Sequence, residues 1–240
     1  MRLNEATALV NDRVVLRPYR RWHVPRYNEW MQDAQMQELT ASEPLSLDEE
    51  YEMQRSWRLD NDKLTFIVHL REPDAPSPST DRTAFLAAHN DGSTMIGDVN
   101  LFLHDVTPPS SPSSPSVASA PPTTPAAPAF SRRAEMEIMF PPLPPFPARS
   151  GIALATLQLF LSYASRALAL PPAAFFARIG FDNAPSLALF AKLGFEEGKR
   201  VEVFREVEIV WRKGGQRWPW EEKEGWTIEQ VVDSRDEERD

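Results

Sequence analysis

The longest apolar stretch of the chain runs from Ile152 to Leu170 and is closed by the Pro171-Pro172 pair. Gln158, Ser162, Tyr163, Ser165 and Arg166 break it up, so it lacks the roughly 18 uninterrupted apolar residues of a membrane span. It predicts a long buried helix, which needs packed structure around most of its surface. Strand signals on both sides supply that structure: Val14–Tyr19, Leu64–Val68, Met95–Leu103, Ala134–Phe140, Ala174–Ile179, Glu196–Arg200 and Val203–Trp211. Pro18 ends the first or places it at an edge, and Gly97 marks a bulge.

Further helices are expected at Val24–Met31, with Pro25 in the first turn, and from Ser46 to about Arg58. Ser46 and Glu49 form a capping box there, and Tyr51, Gln54 and Trp57 share one side, so that Tyr51 and Trp57 can face a core. Another helix runs from Pro185 to Leu193 and ends at Gly194. The pattern βααββ–insertion–βαβαββ predicts an α+β (α/β) domain with one mixed central sheet, spanning residues 1–211.

Two insertions interrupt it. Residues 71–94 read as an expanded hairpin loop. Residues 107–131 are Pro/Ser-rich, with eight prolines between Pro108 and Pro128, and cannot bury enough apolar surface to offset their ordering entropy. A disordered insertion is expected, and a Pro-motif-binding module is the partner it would offer. A second Pro-rich run spans Pro141–Pro147, and residues 212–240 read as a charged tail that frays beyond Trp218, Trp220 and Trp226.

Composition narrows the chemistry. With no cysteine, thiolate catalysis and Cys-based metal sites are excluded. His23, His69, His89 and His104 are spread along the chain, so no metal site is expected. A net charge of −9 argues against a nucleic-acid partner. The N-terminus lacks the apolar core of a secretory signal, so a soluble cytoplasmic chain without membrane partners is expected, the nucleus being left open.

The residues that carry chemistry follow the Ala134–Phe140 strand, whose alternation puts Glu135, Glu137 and Met139 on one face. Arg149-Ser150-Gly151-Ile152-Ala153 opens the long helix with small residues, so main-chain N–H groups and the helix dipole can meet an anion such as a pyrophosphate. Arg149 can add a charge-assisted bond. Downstream, Asp182 or Asn183 caps a helix whose Leu187, Phe190 and Leu193 form an inward stripe.

The order of loop, apolar helix, strand and then Asn183-x-x-Ser186-x-x-x-Phe190-x-Lys192-Leu193-Gly194-Phe195 resembles the GCN5-related N-acetyltransferase (GNAT) superfamily. His23-Val24-Pro25-Arg26-Tyr27-Asn28-Glu29-Trp30-Met31, Leu39-Thr40-Ala41-Ser42-Glu43-Pro44-Leu45 and Gly97-Asp98-Val99-Asn100-Leu101-Phe102 resemble its N-acetyltransferase 9-like subgroup. The resemblance covers about residues 1–70 and 95–211. It implies a single acyl-CoA N-acyltransferase domain that uses acetyl-CoA as co-substrate and acts on a protein or peptide amine. It implies a cofactor site at Met139, Phe140, Arg149, Ser150, Gly151, Ile152, Ala153, Asn183 and Ser186. Acetyl transfer needs a base to free the amine; Glu137, Glu135 and Asp98 are the candidates.

Three features depart from the superfamily pattern. Ala148 stands where an Arg or Gln usually opens the pyrophosphate loop, leaving Arg149 one residue late. The Pro141–Pro147 run precedes that loop. Phe190 stands where many members carry a tyrosine that protonates the leaving thiolate. These departures define the alternative, a catalytically weak or inactive interaction protein on the same fold. Acetylation of a small-molecule amine is a third reading.

Overall fold

The computed structural model describes residues 2–40, 42–90, 92–106, 130–141, 151–222 and 229–232. Its strands are β1 (Thr7–Val10), β2 (Val14–Pro18), β3 (Lys63–Leu70), β4 (Met95–Asp105), β5 (Arg132–Met139), β6 (Phe175–Gly180), β7 (Glu196–Val201), β8 (Glu206–Val210) and β9 (Glu229–Val232). They form one mixed sheet in the order β7-β8-β6-β5-β4-β3-β2-β1-β9. Only the β5–β6 pair is parallel among those described, because these two strands are joined by a crossover through helix α5 (Ile152–Leu168).

Period-two alternation divides the sheet's side chains between two layers. Leu64, Phe66, Val99, Leu101 and Met136 meet Leu157, Phe160 and Leu161 of α5, together with Phe190 and Leu193 of α6 (Ala184–Leu193). On the other face Ile67, Met95 and Met139 pack against Val24, Tyr27, Trp30 and Met31 of α1 (Val24–Met31) and Met36 of α2 (Ala34–Thr40). Helix α3 (Leu47–Leu59) lies on this second face, started by the capping box: Glu49 Oε2 accepts from the Ser46 N–H at 2.8 Å. Its most buried side chains are Glu50 and Gln54, not Tyr51 and Trp57, which are half-buried. Gln54 turns inward because its amide donates to the Tyr19 carbonyl at 2.8 Å.

Several boundaries differ from expectation. Residues 71–94 are not a plain loop. Asp81 caps a short helix, α4 (Arg82–Ala87), which sets Phe85 and Leu86 on Ala8, Val10 and Val15. The buried Arg17 guanidinium ties its end down by donating to the His89 carbonyl at 2.8 Å. The stretch Val203–Phe204 is a tight 3-10 turn with both side chains exposed, so the last expected strand begins only at Glu206.

The described residues beyond Trp211 pack on the domain. Trp218 is fully buried, stacks on Trp220 at 5.0 Å and donates its indole N–H to the Leu161 carbonyl of α5. β9 then pairs with β1. Trp226 lies outside the described residues, as do residues 107–129 of the Pro-rich insertion and Pro142–Ser150. The ends of that insertion meet: the Val106 N–H donates to the Ser131 carbonyl at 2.8 Å, and Asp105 pairs with Arg132. The sheet closes without the insertion. Among the described residues no helix is long and apolar enough to cross a membrane.

Candidate active site

β4 and β5 pair along eight registers, from Asp98 with Met139 to Asp105 with Arg132. Close approach at the far end requires Gly97, where a Cβ would overlap the Met139 carbonyl oxygen and sit 2.8 Å from the Phe140 ring. On the other side of β5 the ladder to β6 has two rungs only, Ala134 with Phe175 and Glu135 with Phe176. β6 itself runs on to Gly180, paired on its other edge with β8 along five registers. A wedge therefore opens between β5 and β6 beyond Glu135, bordered by the main chain of Met136–Phe140.

The crossover places the start of α5 at the carboxyl end of β5. Gly151 precedes the helix at φ +80°, in the left-handed region that favours glycine. Among the described residues no side chain caps this end, and no acidic residue lies in the first turn. Among the described residues, a Cβ on Gly151 would meet the Arg13 guanidinium, at 3.5 Å. Among the described residues the site is thus a helix N-terminus without a side-chain cap and with a cation nearby, a setting that favours an anion. Arg13 lies in the β1–β2 turn, 138 positions from Gly151; no local pattern marks it. Arg149 and Ser150 lie outside the described residues.

Asn183 is the cap of α6: its Oδ1 accepts from the Ser186 N–H at 3.1 Å. Phe190 is buried, edge-on to Phe195 at 5.5 Å, and belongs to the core.

The three carboxylates share the α1–α3 face of the sheet, but their surroundings differ. Glu135 is buried and taken up: Arg178 Nη1 donates to both oxygens, at 2.9 and 3.1 Å, and His104 Nε2 lies 2.8 Å away. Asp98 is buried, and its Oδ2 accepts from the Tyr27 hydroxyl at 2.9 Å and the Asn100 amide at 3.0 Å. Its Oδ1 has no partner of hydrogen-bonding geometry. Burial outweighs these bonds and pushes its pKa up to about 6. Glu137, opposite Asn100, is open to solvent on one side. Partial loss of water against the sheet, and then the Asp98 and Glu135 charges, push it up to about 7, with the Lys63 ammonium opposing.

His23 stays within the core. Its Nδ1 accepts from the Arg20 N–H, so Nε2 carries the proton and donates to His69 Nε2 at 3.1 Å. His69 in turn donates from Nδ1 to Thr94 Oγ1 at 2.9 Å. Burial holds both rings well below the ordinary histidine pKa, so the chain of bonds is neutral.

The model of the acetyltransferase (GNAT) domain matches residues 13–196. The chain belongs to the GNAT acetyltransferase family. It is an acetyl-CoA-dependent acyltransferase by that membership. The alpha/beta-tubulin-N-acetyltransferase 9 of Drosophila melanogaster is 41% identical over 209 residues, covering 87% of this chain and 88% of that protein. The human protein of the same name is 36% identical over 210 residues, covering 87% and 84%. Among solved structures, the Vibrio cholerae spermidine N-acetyltransferase in complex with CoA and spermine has a TM-score of 0.54 at 17% identity, covering 83% of this chain and 94% of that one. The RimL ribosomal L7/L12 alpha-N-protein acetyltransferase also gives 0.54, at 12% identity, covering 84% and 90%. These structural likenesses show the fold.

Proposed function

We propose that the chain transfers the acetyl group of acetyl-CoA to a protein amine, with Glu137 as the general base. The observation that carries this reading is Glu137 itself. It stands just beyond the last β5–β6 rung, open to solvent, with a pKa of about 7. A base poised near the working pH is half ready at neutrality and can take the proton that the amine sheds as it attacks the acyl carbon. Asp98, enclosed by Tyr27 and Asn100, keeps negative charge behind Glu137. Glu135 serves to fix β5 against β6 through Arg178.

The residues present fit acetyl-CoA, since α5 starts at Gly151, in a left-handed conformation with no side-chain cap and with the Arg13 guanidinium nearby. The main chain of Gly151, Ile152 and Ala153, with Arg13 and with Arg149 and Ser150 beyond the described residues, would hold its pyrophosphate. The main chain of Met139 and Phe140 would hold the pantetheine arm and the carbonyl oxygen. Acetyl-CoA supplies an acyl carbon activated as a thioester. Asn183 and Ser186 act on the site by fixing the start of α6.

An amine acceptor arrives as a cation, and the Glu137–Asp98 pair favours it. The relatives named for α/β-tubulin make the tubulin dimer the acceptor to test first. Phe190 supports a second reading, an idle interaction protein, because it offers no proton to a leaving group. The ordinary thiol pKa of about 8.5 keeps that loss small near neutral pH.

Thermal unfolding with and without acetyl-CoA separates the two. At about 100 times its dissociation constant the ligand stabilises the wild type by roughly 2.7 kcal/mol, and Gly151→Glu loses that increment whatever its own baseline. No increment in the wild type at millimolar ligand would hand the site to the interaction reading.

A further inference from the structure

One amine of the protein itself lies on the carboxylate face. Lys63 opens β3 and shares the cross-strand row Lys63–Phe102–Glu135, next to the row Thr65–Asn100–Glu137. Its Nζ stands 4.0 Å from the centre of the Trp57 ring and 4.7 Å from that of Phe102, and the residue is half-buried. The chain has five lysines. Lys192 at the end of α6, Lys199 in β7 and Lys213 past β8 are exposed and sit on other parts of the fold, and Lys223 lies outside the described residues.

A lysine becomes an acetyl acceptor when its amine is uncharged, within reach of a base and beside the acyl donor. Loss of water around Lys63 lowers its pKa, against the opposing pull of Asp60 and Glu137. The flexible four-carbon stem lets the amine leave the two rings and cross β4 toward the row of Glu137. The wedge that receives the acyl donor begins at that row.

We propose that Lys63 is a self-acetylation site, modified within the same molecule with Glu137 as base. This rests on the reading of Glu137 given above. Nζ gives one proton to Glu137 and bonds the acetyl carbon; the carbon–sulfur bond breaks, its electron pair leaves on sulfur, and sulfur takes up a proton as free CoA. The product is Nζ-acetyl-Lys63, which is neutral. Its formation removes the cation that restrains the pKa of Glu137, so modification also retunes the base.

The test follows the full-length protein with acetyl-CoA at several protein concentrations by peptide mass spectrometry, beside the isosteric Glu137→Gln variant. A parallel reaction contains purified α/β-tubulin and radiolabelled acetyl-CoA. The expected result is one acetyl group on Lys63, gained ahead of Lys192 and Lys199 at a first-order rate independent of protein concentration. In Glu137→Gln that rate falls about 100-fold. Lys63 left unmodified by a preparation that acetylates tubulin would overturn the proposal and leave the proposed function standing. Modification no faster than at Lys192 and Lys199, or equal in Glu137→Gln, would be solution chemistry and would overturn it too. A rate that rises with protein concentration would replace it by transfer between molecules. If neither Lys63 nor tubulin is labelled, the assignment of Glu137 falls with it.

Discussion

Replacing Glu137 with glutamine keeps the size of the side chain and removes its ability to take a proton. The site sits on a solvent-open strand face, so the fold should tolerate the change. With a pKa of about 7, the carboxylate is mostly ionised at pH 8 and mostly protonated at pH 6. The sign follows directly: protonated Glu137 cannot act as base, so kcat/KM falls as pH drops through 7. From pH 8 to pH 6 the ionised fraction falls about tenfold, and each further unit costs about tenfold more. The acceptor amine adds its own pH dependence, but wild type and variant share it. The ratio of their kcat/KM values therefore isolates Glu137. That ratio should be about 10²–10⁴ at pH 8 and shrink about tenfold per pH unit below 7. Initial rates with radiolabelled acetyl-CoA and tubulin across pH 5.5–8.5 measure it. A ratio near one, or one that does not change with pH, refutes Glu137 as the base. Lys63→Met, which removes the opposing charge, should move the break upward, whereas Lys63→Arg should leave it in place.

Other consequences are open to measurement. Trp218→Ala removes a fully buried indole and its bond to Leu161, at a cost of about 3–5 kcal/mol or roughly 6–20 °C in Tm; a drop below about 2 °C would place residues 212–222 outside the cooperative unit. Asp98 has its pKa raised on folding, so the wild type loses stability as pH rises from 3.8 through about 6, and the gap is worth roughly 3 kcal/mol at most. Urea denaturation of Asp98→Asn should therefore show a larger gain over wild type at pH 7.5 than at pH 4, and an equal difference at both would contradict the buried carboxylate. Gly97→Ala drives a methyl into the Met139 carbonyl and should cost about 1–3 kcal/mol or more by calorimetry, with loss of acetyl transfer; a neutral change would deny the close β4–β5 approach.

Elements whose limits are set by neighbours a few residues away were legible in the sequence. Ser46 with Glu49 marks the start of α3, Pro25 that of α1, Pro171 closes α5, and Gly194 ends α6 at φ +105°. Elements held by distant partners were not. α4 has six residues and exists because Phe85 and Leu86 find β1 and β2, while β9 exists because β1 offers it an edge. The burial of Glu50 on α3 is of the same kind: spacing puts Gln54 beside Tyr51 and Trp57, where the Tyr19 carbonyl holds it, but it does not mark Glu50.

The candidate site shows this division within two residues of one strand. Alternation put Glu135 and Glu137 on the same face, and nothing local distinguishes them. Their difference comes from β6. The parallel ladder ends at Glu135 and Phe176, and Arg178, two residues further along β6, reaches back to Glu135. Glu137 lies past that last rung, where β6 no longer pairs with β5. The divergence that opens the wedge therefore also spares Glu137 from the ion pair that occupies its neighbour. A pleat can be counted in a sequence, but the end of a parallel ladder depends on where a crossover of some 35 residues, Phe140 to Ala174, lays the next strand down.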